Sequence, residues 1–255
     1  MTIRYTIGGV AFSTDEDLPG LPTEGFADGE LDTSFLDSDS FRALAPANVT
    51  YVCGPDGLNG AIDASSNRCW LPDSFEEPAD RAWQLRQMAP IFSALTHRLV
   101  LHAGAVEADG AVIAFIGPSG AGKSTLVRFL STQRHRFVSD DLLPIRFTPA
   151  PSAPVAHDLT PISALFFLVR SDTRDVDPVR LEDSMALQSL IANGFGEHGD
   201  PSSWAFQFDA YHRIAASIPV YGLTIPDELS SLPLVDEVLG KVTENHQPSA
   251  TNRML

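Results

Sequence analysis

The apolar residues of the chain follow two kinds of spacing. Between Pro78 and Arg98 they recur every three or four positions, which predicts an amphipathic helix. Leu99 to Val106 and Ala111 to Ile116 are instead continuous apolar runs of strand length. The Asp109-Gly110 pair between these runs is typical of a two-residue hairpin turn. The pattern therefore predicts a helix followed by an antiparallel pair of strands.

Helical and strand patterns alternate through the rest of the chain. The predicted elements are a helix from Lys123 to about Gln133, a strand from Phe137 to Ser139, a strand from Ser163 to Val169, a helix from Glu182 to Asn193, a strand from Val220 to Ile225 and a helix from Leu229 to Val242. Such alternation predicts an α/β sheet with helices packed on it.

The amino-terminal part has a different character. Residues 1–77 are rich in Gly, Pro, Asp and Ser, with short apolar runs such as Tyr5 to Phe12 and Val49 to Val52. They predict a small strand-and-turn module. We therefore expect this module at 1–77, a connecting helix at 78–98, a catalytic domain at 99–242 and a polar, flexible tail at 243–255.

A phosphate-binding motif follows the second apolar run. Gly117 to Ser124 reads GPSGAGKS, which fits G-x-x-x-x-G-K-[ST] in the required strand-loop-helix context. Its backbone N–H groups would surround phosphates, Lys123 would contact the β- and γ-phosphates, and the Ser124 hydroxyl would bind Mg²⁺. The alternative is a glycine-rich turn whose lysine faces solvent. The predicted ATP-binding residues are Gly117, Pro118, Ser119, Gly120, Ala121, Gly122, Lys123, Ser124 and Thr125.

Two adjacent carboxylates follow the strand after the P-loop helix. Because that helix is the whole connection, we expect a crossover between neighbouring strands that brings Asp140 and Asp141 beside the loop. One carboxylate would hold Mg²⁺, for which we propose Asp141 with Ser124. The other, Asp140, would accept the proton of an attacking hydroxyl. A solvated turn is the alternative for this pair.

His102 is positioned by the hairpin. If Asp109 and Gly110 are the turn residues, the numbers of paired residues sum to 219, and His102 lies opposite Gly117. An imidazole there could orient a carboxylate, contact the γ-phosphate or shuttle a proton. A purely structural histidine is the alternative. The predicted catalytic residues are His102, Lys123, Asp140 and Asp141.

Other basic residues have less defined roles. Arg134, His135 and Arg136 follow the P-loop helix, where they would complement its negative end, with acceptor binding as the alternative. Candidates for an arginine-finger role are Arg170, Arg174, Arg180, His198 and Arg213, although most such charges are simply solvated.

Charge and composition narrow the class of protein. The 255 residues carry a net charge of -16, which disfavours nucleic acids and anionic membranes as partners. No apolar run is long enough to span a membrane and no secretory signal is recognisable, so we expect a cytoplasmic protein. Cys53 and Cys69 lack metal-ligand spacing and are interpreted as reduced thiols.

The stretch LHAGAVEADGAVIAFIGPSGAGKSTLVRFLSTQRHRFVSDDLLPI resembles the catalytic core of the HPr kinase/phosphorylase family. The shared features are a histidine on the first strand, the Walker A loop, an R-H-R-like turn and an Asp-Asp pair. The resemblance implies a P-loop fold related to phosphoenolpyruvate carboxykinase, with a mixed sheet that uses Mg²⁺ and ATP. It also implies that His102, Asp140 and Asp141 are catalytic.

The family's second signature has no counterpart after Pro161. This departure argues against HPr as the acceptor and against the reverse, phosphorylase reaction. The small amino-terminal module resembles kinases that modify precursor peptides, including those that phosphorylate the carboxy-terminal Ser of lasso-peptide precursors. We therefore expect a kinase for a Ser in a peptide or small protein, with a homo-oligomer left open. The alternatives are a small-molecule hydroxyl kinase and a nucleotide-responsive binding protein that does not turn over ATP.

Overall fold

The chain divides into two compact units. The computed structural model describes residues 2–23, 27, 29–43, 49–54, 57–73, 77–148, 153–156, 159–171, 176–194, 201–226 and 228–244. The first unit comprises Met1–Val100 and Phe195–Gln207, and the second comprises Leu101–Gly194 and Phe208–Leu255. From residue 245 onward, the predicted tail lies outside the described residues.

The first unit is built on a mixed sheet. Its strands are β1 (Ile3–Ile7), β2 (Val10–Thr14), β3 (Gly29–Leu36), β4 (Thr50–Gly54), β5 (Gly57–Asp63) and β6 (Arg68–Pro72), and its helices are α1 (Ser38–Arg42) and α2 (Pro78–Leu95). The strand order is β1-β2-β3-β6-β5-β4, with β2, β3 and β6 mutually parallel. The apolar run from Tyr5 to Phe12 thus forms two strands, joined at Gly8 and Gly9, whose φ angles of 55° and 79° suit a tight turn.

Helix α2 packs on the sheet of the first unit. At Gly60 of β5, an added Cβ would lie 2.8 Å from the Met88 sulfur, so glycine allows the helix to come this close. From Met88 to Ala94 every residue of α2 is buried. The predicted helix is present, but its second half is enclosed on all sides, so a single buried face describes only its first half. Cys69 is also fully buried, which raises the pKa of its thiol.

A second mixed sheet forms the centre of the second unit. Its strands are β7 (Leu99–Ala108), β8 (Ala111–Ile116), β9 (Arg136–Ser139), β10 (Leu142–Phe147), β11 (Pro154–Val155), β12 (Ile162–Ser171), β13 (Pro178–Arg180) and β14 (Val220–Pro226). The helices are α3 (Lys123–Thr132), α4 (Asp183–Ala192), α5 (Pro201–Ser217) and α6 (Leu232–Glu244). Helix α5 begins in the first unit, to which its residues up to Gln207 belong. The order is β11-β10-β7-β8-β12-β14-β13, with β9 also paired to β7. The predicted α/β class, with a mixed sheet and a strand-rich amino-terminal part, matches this architecture.

The β7–β8 hairpin has the predicted register. Ala103 pairs with Ile116 and Ala108 pairs with Ala111, so each pair of numbers sums to 219. Asp109 and Gly110 both have positive φ angles, 51° and 80°, as a type I′ turn requires.

The connection through α3 differs from the prediction. Strand β9 pairs with β7 and not with β8, so β7 lies between the two strands that α3 connects. Both edges of β8 are occupied, one by its hairpin partner β7 and the other by β12. Since β8 and β9 are both antiparallel to β7, they run in the same direction, and their carboxyl ends still lie at the same edge of the sheet.

The core of the second unit lies between this sheet and helices α3 and α6. It contains Val106, Ile113, Phe115, Ala121, Leu126, Val127, Leu130, Ala164, Phe166, Leu168, Tyr221, Leu223, Ile225, Val235 and Leu239. This packing fixes α3, and with it the loop before α3, against the carboxyl ends of β8 and β12. Among the described residues, no helix combines the length and apolar character that a bilayer crossing requires.

Candidate active site

The phosphate loop connects the end of β8 to the start of α3. Gly120 and Gly122 have φ angles of 81° and 93°, which glycine adopts readily, so both can turn the backbone inside the loop. Helix α3 begins immediately after Gly122, and Leu126 N–H donates to the Gly122 carbonyl over 2.9 Å. The loop therefore leads directly into the positive end of a helix, which favours a bound anion.

Lys123 is buried at the base of the loop, with only 6% of its surface exposed. Its Nζ donates to the carbonyl oxygens of Gly117 at 2.7 Å and Pro118 at 3.2 Å. Burial lowers the pKa of Lys123, and the nearby Asp141 carboxylate acts in the opposite direction. The alternative of a glycine-rich turn required a lysine that faces solvent, and Lys123 does not.

Ser124 links the loop to the acidic pair. Its Oγ donates to the carbonyl oxygen of Asp140 at 3.3 Å, which places the hydroxyl next to the end of β9. Ala103 N–H in turn donates to the carbonyl oxygen of Asp141 at 2.9 Å, so the acidic pair is also tied to β7 beside His102. Residues from β7, the loop after β8, α3 and the end of β9 therefore converge, although β8 and β9 are not neighbours in the sheet.

His102 lies against Asp141. The distance from His102 Nε2 to Asp141 Oδ1 is 3.4 Å. Burial lowers the pKa of His102, Lys123 lowers it further, and Asp141 acts against both effects. The neutral imidazole is thus favoured, and it offers one nitrogen that donates and one that accepts. His102 directly precedes Ala103, whose pairing with Ile116 is the last pair of the hairpin before the loop.

Asp140 faces a different neighbour. Its Oδ2 lies 4.0 Å from Nη2 of Arg128, which is one turn after Ser124 on α3. Arg128 was not among the predicted site residues. The signal available was its spacing, because residues four apart on a helix lie on the same face. That spacing points to the site only once Asp140 is known to reach α3.

The remaining predicted loop residues have varied environments. Pro118 and Ser119 are exposed at the tip, whereas Ala121 is buried in the core. Thr125 is exposed in the first turn of α3. The structure therefore brings His102, Lys123, Ser124, Asp140 and Asp141 together, and leaves Thr125 on the outer surface of the helix start.

The basic residues after α3 serve other contacts. His135 Nε2 lies 2.7 Å from Asp236 Oδ1 on α6, and the Arg136 guanidinium binds Glu107 on β7. For these two residues, pairing with carboxylates from other elements replaces the predicted role at the end of α3.

Of the candidate arginine fingers, Arg170 contacts the loop, where its Nε donates to the Ala121 carbonyl oxygen at 3.1 Å. Arg213 lies over the Phe147 ring at 3.8 Å and pairs with Asp209, and Arg180 is on β13 beside Tyr221. Arg174 and His198 lie outside the described residues.

The oxygen ligands at the loop fit Mg²⁺ bound together with phosphates. Among the described residues, no group of three His, Cys, Asp or Glu side chains could hold a metal ion by itself. Mg²⁺ commonly takes only one or two protein carboxylates and obtains its other ligands from phosphates and water. The Ser124 hydroxyl and the Asp141 carboxylate satisfy that smaller requirement.

No protein-family model matches the chain, and no curated protein sequence matches it either. In the comparison with solved structures, the chain is similar to the HPr(Ser) kinase/phosphatase from Coxiella burnetii. The identity is 15%, the match covers 57% of this chain and 96% of that one, and the TM-score is 0.32. A likeness this distant does not fix an activity, so we interpret the site from its own residues.

Proposed function

We propose that this protein is an ATP- and Mg²⁺-dependent kinase that transfers the γ-phosphoryl group to a hydroxyl. The observation that carries the proposal is the convergence of an acidic pair on a phosphate loop. Ser124 Oγ reaches the Asp140 carbonyl oxygen at 3.3 Å, and His102 reaches the Asp141 carboxylate at 3.4 Å. A loop that only binds nucleotide does not need two carboxylates and an imidazole at its edge.

The loop supplies the binding energy for the phosphates. Backbone N–H groups and the start of α3 attract the anion, and Lys123 adds a charge that is already positioned by its contacts with Gly117 and Pro118. Ser124 and Asp141 would hold Mg²⁺, which neutralises charge on the β- and γ-phosphates when bound.

Asp140 is the proposed general base. Its carboxylate accepts the proton of the acceptor hydroxyl while the acceptor oxygen bonds to the γ-phosphorus and the bond to ADP breaks. The Arg128 guanidinium lies 4.0 Å from this carboxylate. His102 orients Asp141 through its 3.4 Å contact.

We further propose that the acceptor is a Ser hydroxyl of a peptide or small protein. The side chains of Asp140 and Asp141 are 39% and 40% exposed, so a bulky acceptor can approach them from solvent. The net charge of -16 favours a neutral or basic acceptor over an acidic one. A precursor-peptide tailoring kinase of the lasso-peptide type fits both features.

The test is a transfer assay with γ-labelled ATP and Mg²⁺. The protein is incubated with Ser-containing peptides beside a metabolite pool, and the label is located by mass spectrometry. Label on a peptide supports the proposal, whereas label on a metabolite indicates a small-molecule kinase. Bound ATP that is never consumed indicates a nucleotide-responsive binding protein.

Lys123→Ala provides the control for the phosphate loop. It should weaken ATP binding itself, by tenfold or more, because a positioned charge on the phosphates is removed. Lys241→Ala is the matched substitution, since the Lys241 side chain is 68% exposed and pairs with Glu237. Equal ATP affinity in both variants would contradict the proposed role of the loop.

A further inference from the structure

Arg170 makes an unusual set of contacts at the end of β12. Its Nε donates to the carbonyl oxygen of Ala121 in the phosphate loop at 3.1 Å. Its Nη1 donates to the carbonyl oxygen of Pro226, at the end of β14, also at 3.1 Å. Since β12 lies between β8 and β14 and is parallel to both, one guanidinium connects the loop after β8 to the end of β14.

Gly122 is the residue that permits this contact. A Cβ added at Gly122 would lie 2.3 Å from Nη2 of Arg170, far inside van der Waals distance. The guanidinium therefore lies directly against the Gly122 backbone. Gly117 shows a related approach, since its Cβ would lie 3.0 Å from the Leu168 carbonyl oxygen. The end of β12 is thus the surface on which both ends of the loop rest.

The Ala121 carbonyl belongs to the same peptide group as the N–H of Gly122. In a trans peptide, C=O and N–H point in opposite directions. A carbonyl held toward Arg170 therefore turns the Gly122 N–H away from Arg170. Inward-turned N–H groups are what a phosphate loop uses to bind the α- and β-phosphates.

We propose that Arg170 is a positioning residue of the phosphate loop, which holds the Ala121–Gly122 peptide so that the Gly122 N–H faces the nucleotide phosphates. This inference rests on the proposed function, because it assumes that the loop binds a nucleotide. It differs from an arginine finger, in which Arg170 would contact the γ-phosphate itself. A lysine cannot replace Arg170 in this role, because it lacks the planar fork that reaches two carbonyls at once.

The first measurement is the affinity of the full chain for Mg²⁺-ADP and Mg²⁺-ATP, by calorimetry. Arg170→Gln should weaken both by a similar factor, about five- to tenfold, since one oriented hydrogen bond to a phosphate is lost. Arg170→Lys should behave in the same way. Arg4→Gln, which removes an exposed arginine from β1 of the first unit, should leave both affinities unchanged. A loss confined to ATP would overturn the inference in favour of direct contact with the γ-phosphate.

The second measurement is the amide resonance of Gly122 in the nucleotide-free protein, by NMR. We expect it to shift in Arg170→Gln and Arg170→Lys while the resonances of α6 stay in place, which a global loss of structure would not produce. An unchanged Gly122 resonance would overturn the inference, and so would full rescue by lysine. Wild-type protein that binds neither nucleotide would overturn the proposed function, and this inference with it. Wild-type protein that binds both, beside an Arg170→Gln variant of equal affinity, would overturn this inference alone.

Discussion

At the scale of single residues, the two carboxylates of the acidic pair are not equivalent. Asp141 faces His102, and its charge raises the pKa of Lys123. Asp140 instead faces Arg128 on the outer side of α3. The two side chains face different neighbours, so neither can replace the other. The pair therefore supplies two separate carboxylates, one beside the proposed phosphate site and one facing Arg128 on α3.

Asp140→Asn should separate transfer from binding. Without a carboxylate to accept the hydroxyl proton, we expect phosphoryl transfer to fall by about 100-fold or more. ATP affinity should stay within a few-fold, because the proposed Mg²⁺ and phosphate contacts lie elsewhere. Asp209→Asn is the control, since this carboxylate on α5 is 68% exposed. An Asp140→Asn enzyme with normal turnover would refute the assignment of the base.

The position of His102 was predictable, but that of Arg128 was not. His102 could be placed because the Asp109-Gly110 turn fixes the hairpin register, and register is a property of local sequence. Arg128 becomes part of the site only because the Asp140 side chain turns toward α3. That orientation depends on packing between β9 and the helix, which no local pattern encodes.

At the scale of elements, the approach of β7 to α3 depends on Gly104. A Cβ added at Gly104 would lie 2.8 Å from Cγ2 of Val127, a buried residue of the core. Valine is stiff at χ1 and cannot easily move away. The strand that carries His102 and the helix that carries Lys123 are thus held close together by the absence of one methyl group.

Gly104→Ala and Val127→Ala should therefore compensate each other. Gly104→Ala alone should destabilise the protein by about 1–3 kcal/mol through overpacking, which outweighs the entropic gain of about 0.5–1 kcal/mol from removing a strand glycine. In the double variant, the space vacated by Val127 accommodates the new methyl group. Urea unfolding of all four proteins should give a coupling energy of about 1 kcal/mol or more. Strictly additive effects would show that the two elements do not constrain each other here.

Helix α6 is attached to the end of the P-loop helix by the hydrogen bond between His135 and Asp236. The His135 side chain is buried, and its Nδ1 has no partner in the described structure. Asp236→Ala would leave both ring nitrogens buried without a partner, so we expect a loss of about 2 kcal/mol in unfolding free energy. Glu237→Ala, at the next position, removes an exposed carboxylate and should have little effect. Thermal and urea unfolding of both variants check this prediction. If Asp236→Ala and Glu237→Ala lowered the free energy of unfolding equally, the prediction would be wrong.

Helices and strands were predicted correctly where the apolar residues are the buried ones. They were missed where polar residues are buried and apolar residues are exposed. Helix α5 was not predicted from the sequence. In this helix Ser203 and Gln207 are buried, whereas the side chains of Trp204 and Phe208 are largely exposed. The apolar pattern of the sequence therefore does not follow the buried face, and aromatic residues are only moderate helix formers. The crossover through α3 was predicted incorrectly for another reason. Which strands become neighbours depends on long-range pairing, and here β7 pairs with both β8 and β9.

At the scale of the whole molecule, the acidic excess should act on the choice of acceptor. With 33 acidic and 17 basic residues, the surface attracts cationic peptides over distances limited by salt screening. For matched Ser peptides of opposite charge, we expect the basic one to have the lower KM at about 50 mM salt, and the difference to shrink at about 300 mM. Steady-state kinetics with both peptides at both salt concentrations checks this. A preference for the acidic peptide would contradict it.

The first unit is not one continuous stretch of chain. It takes Met1–Val100 and then Phe195–Gln207, and within it the His97 ring stacks on Phe206 at 5.4 Å. During synthesis, the first hundred residues leave the ribosome well before Phe206 has been joined to the chain. The unit that is made first is therefore completed late, after most of the second unit has been translated, and a nascent chain must keep its unfinished apolar surface from aggregating in the interval.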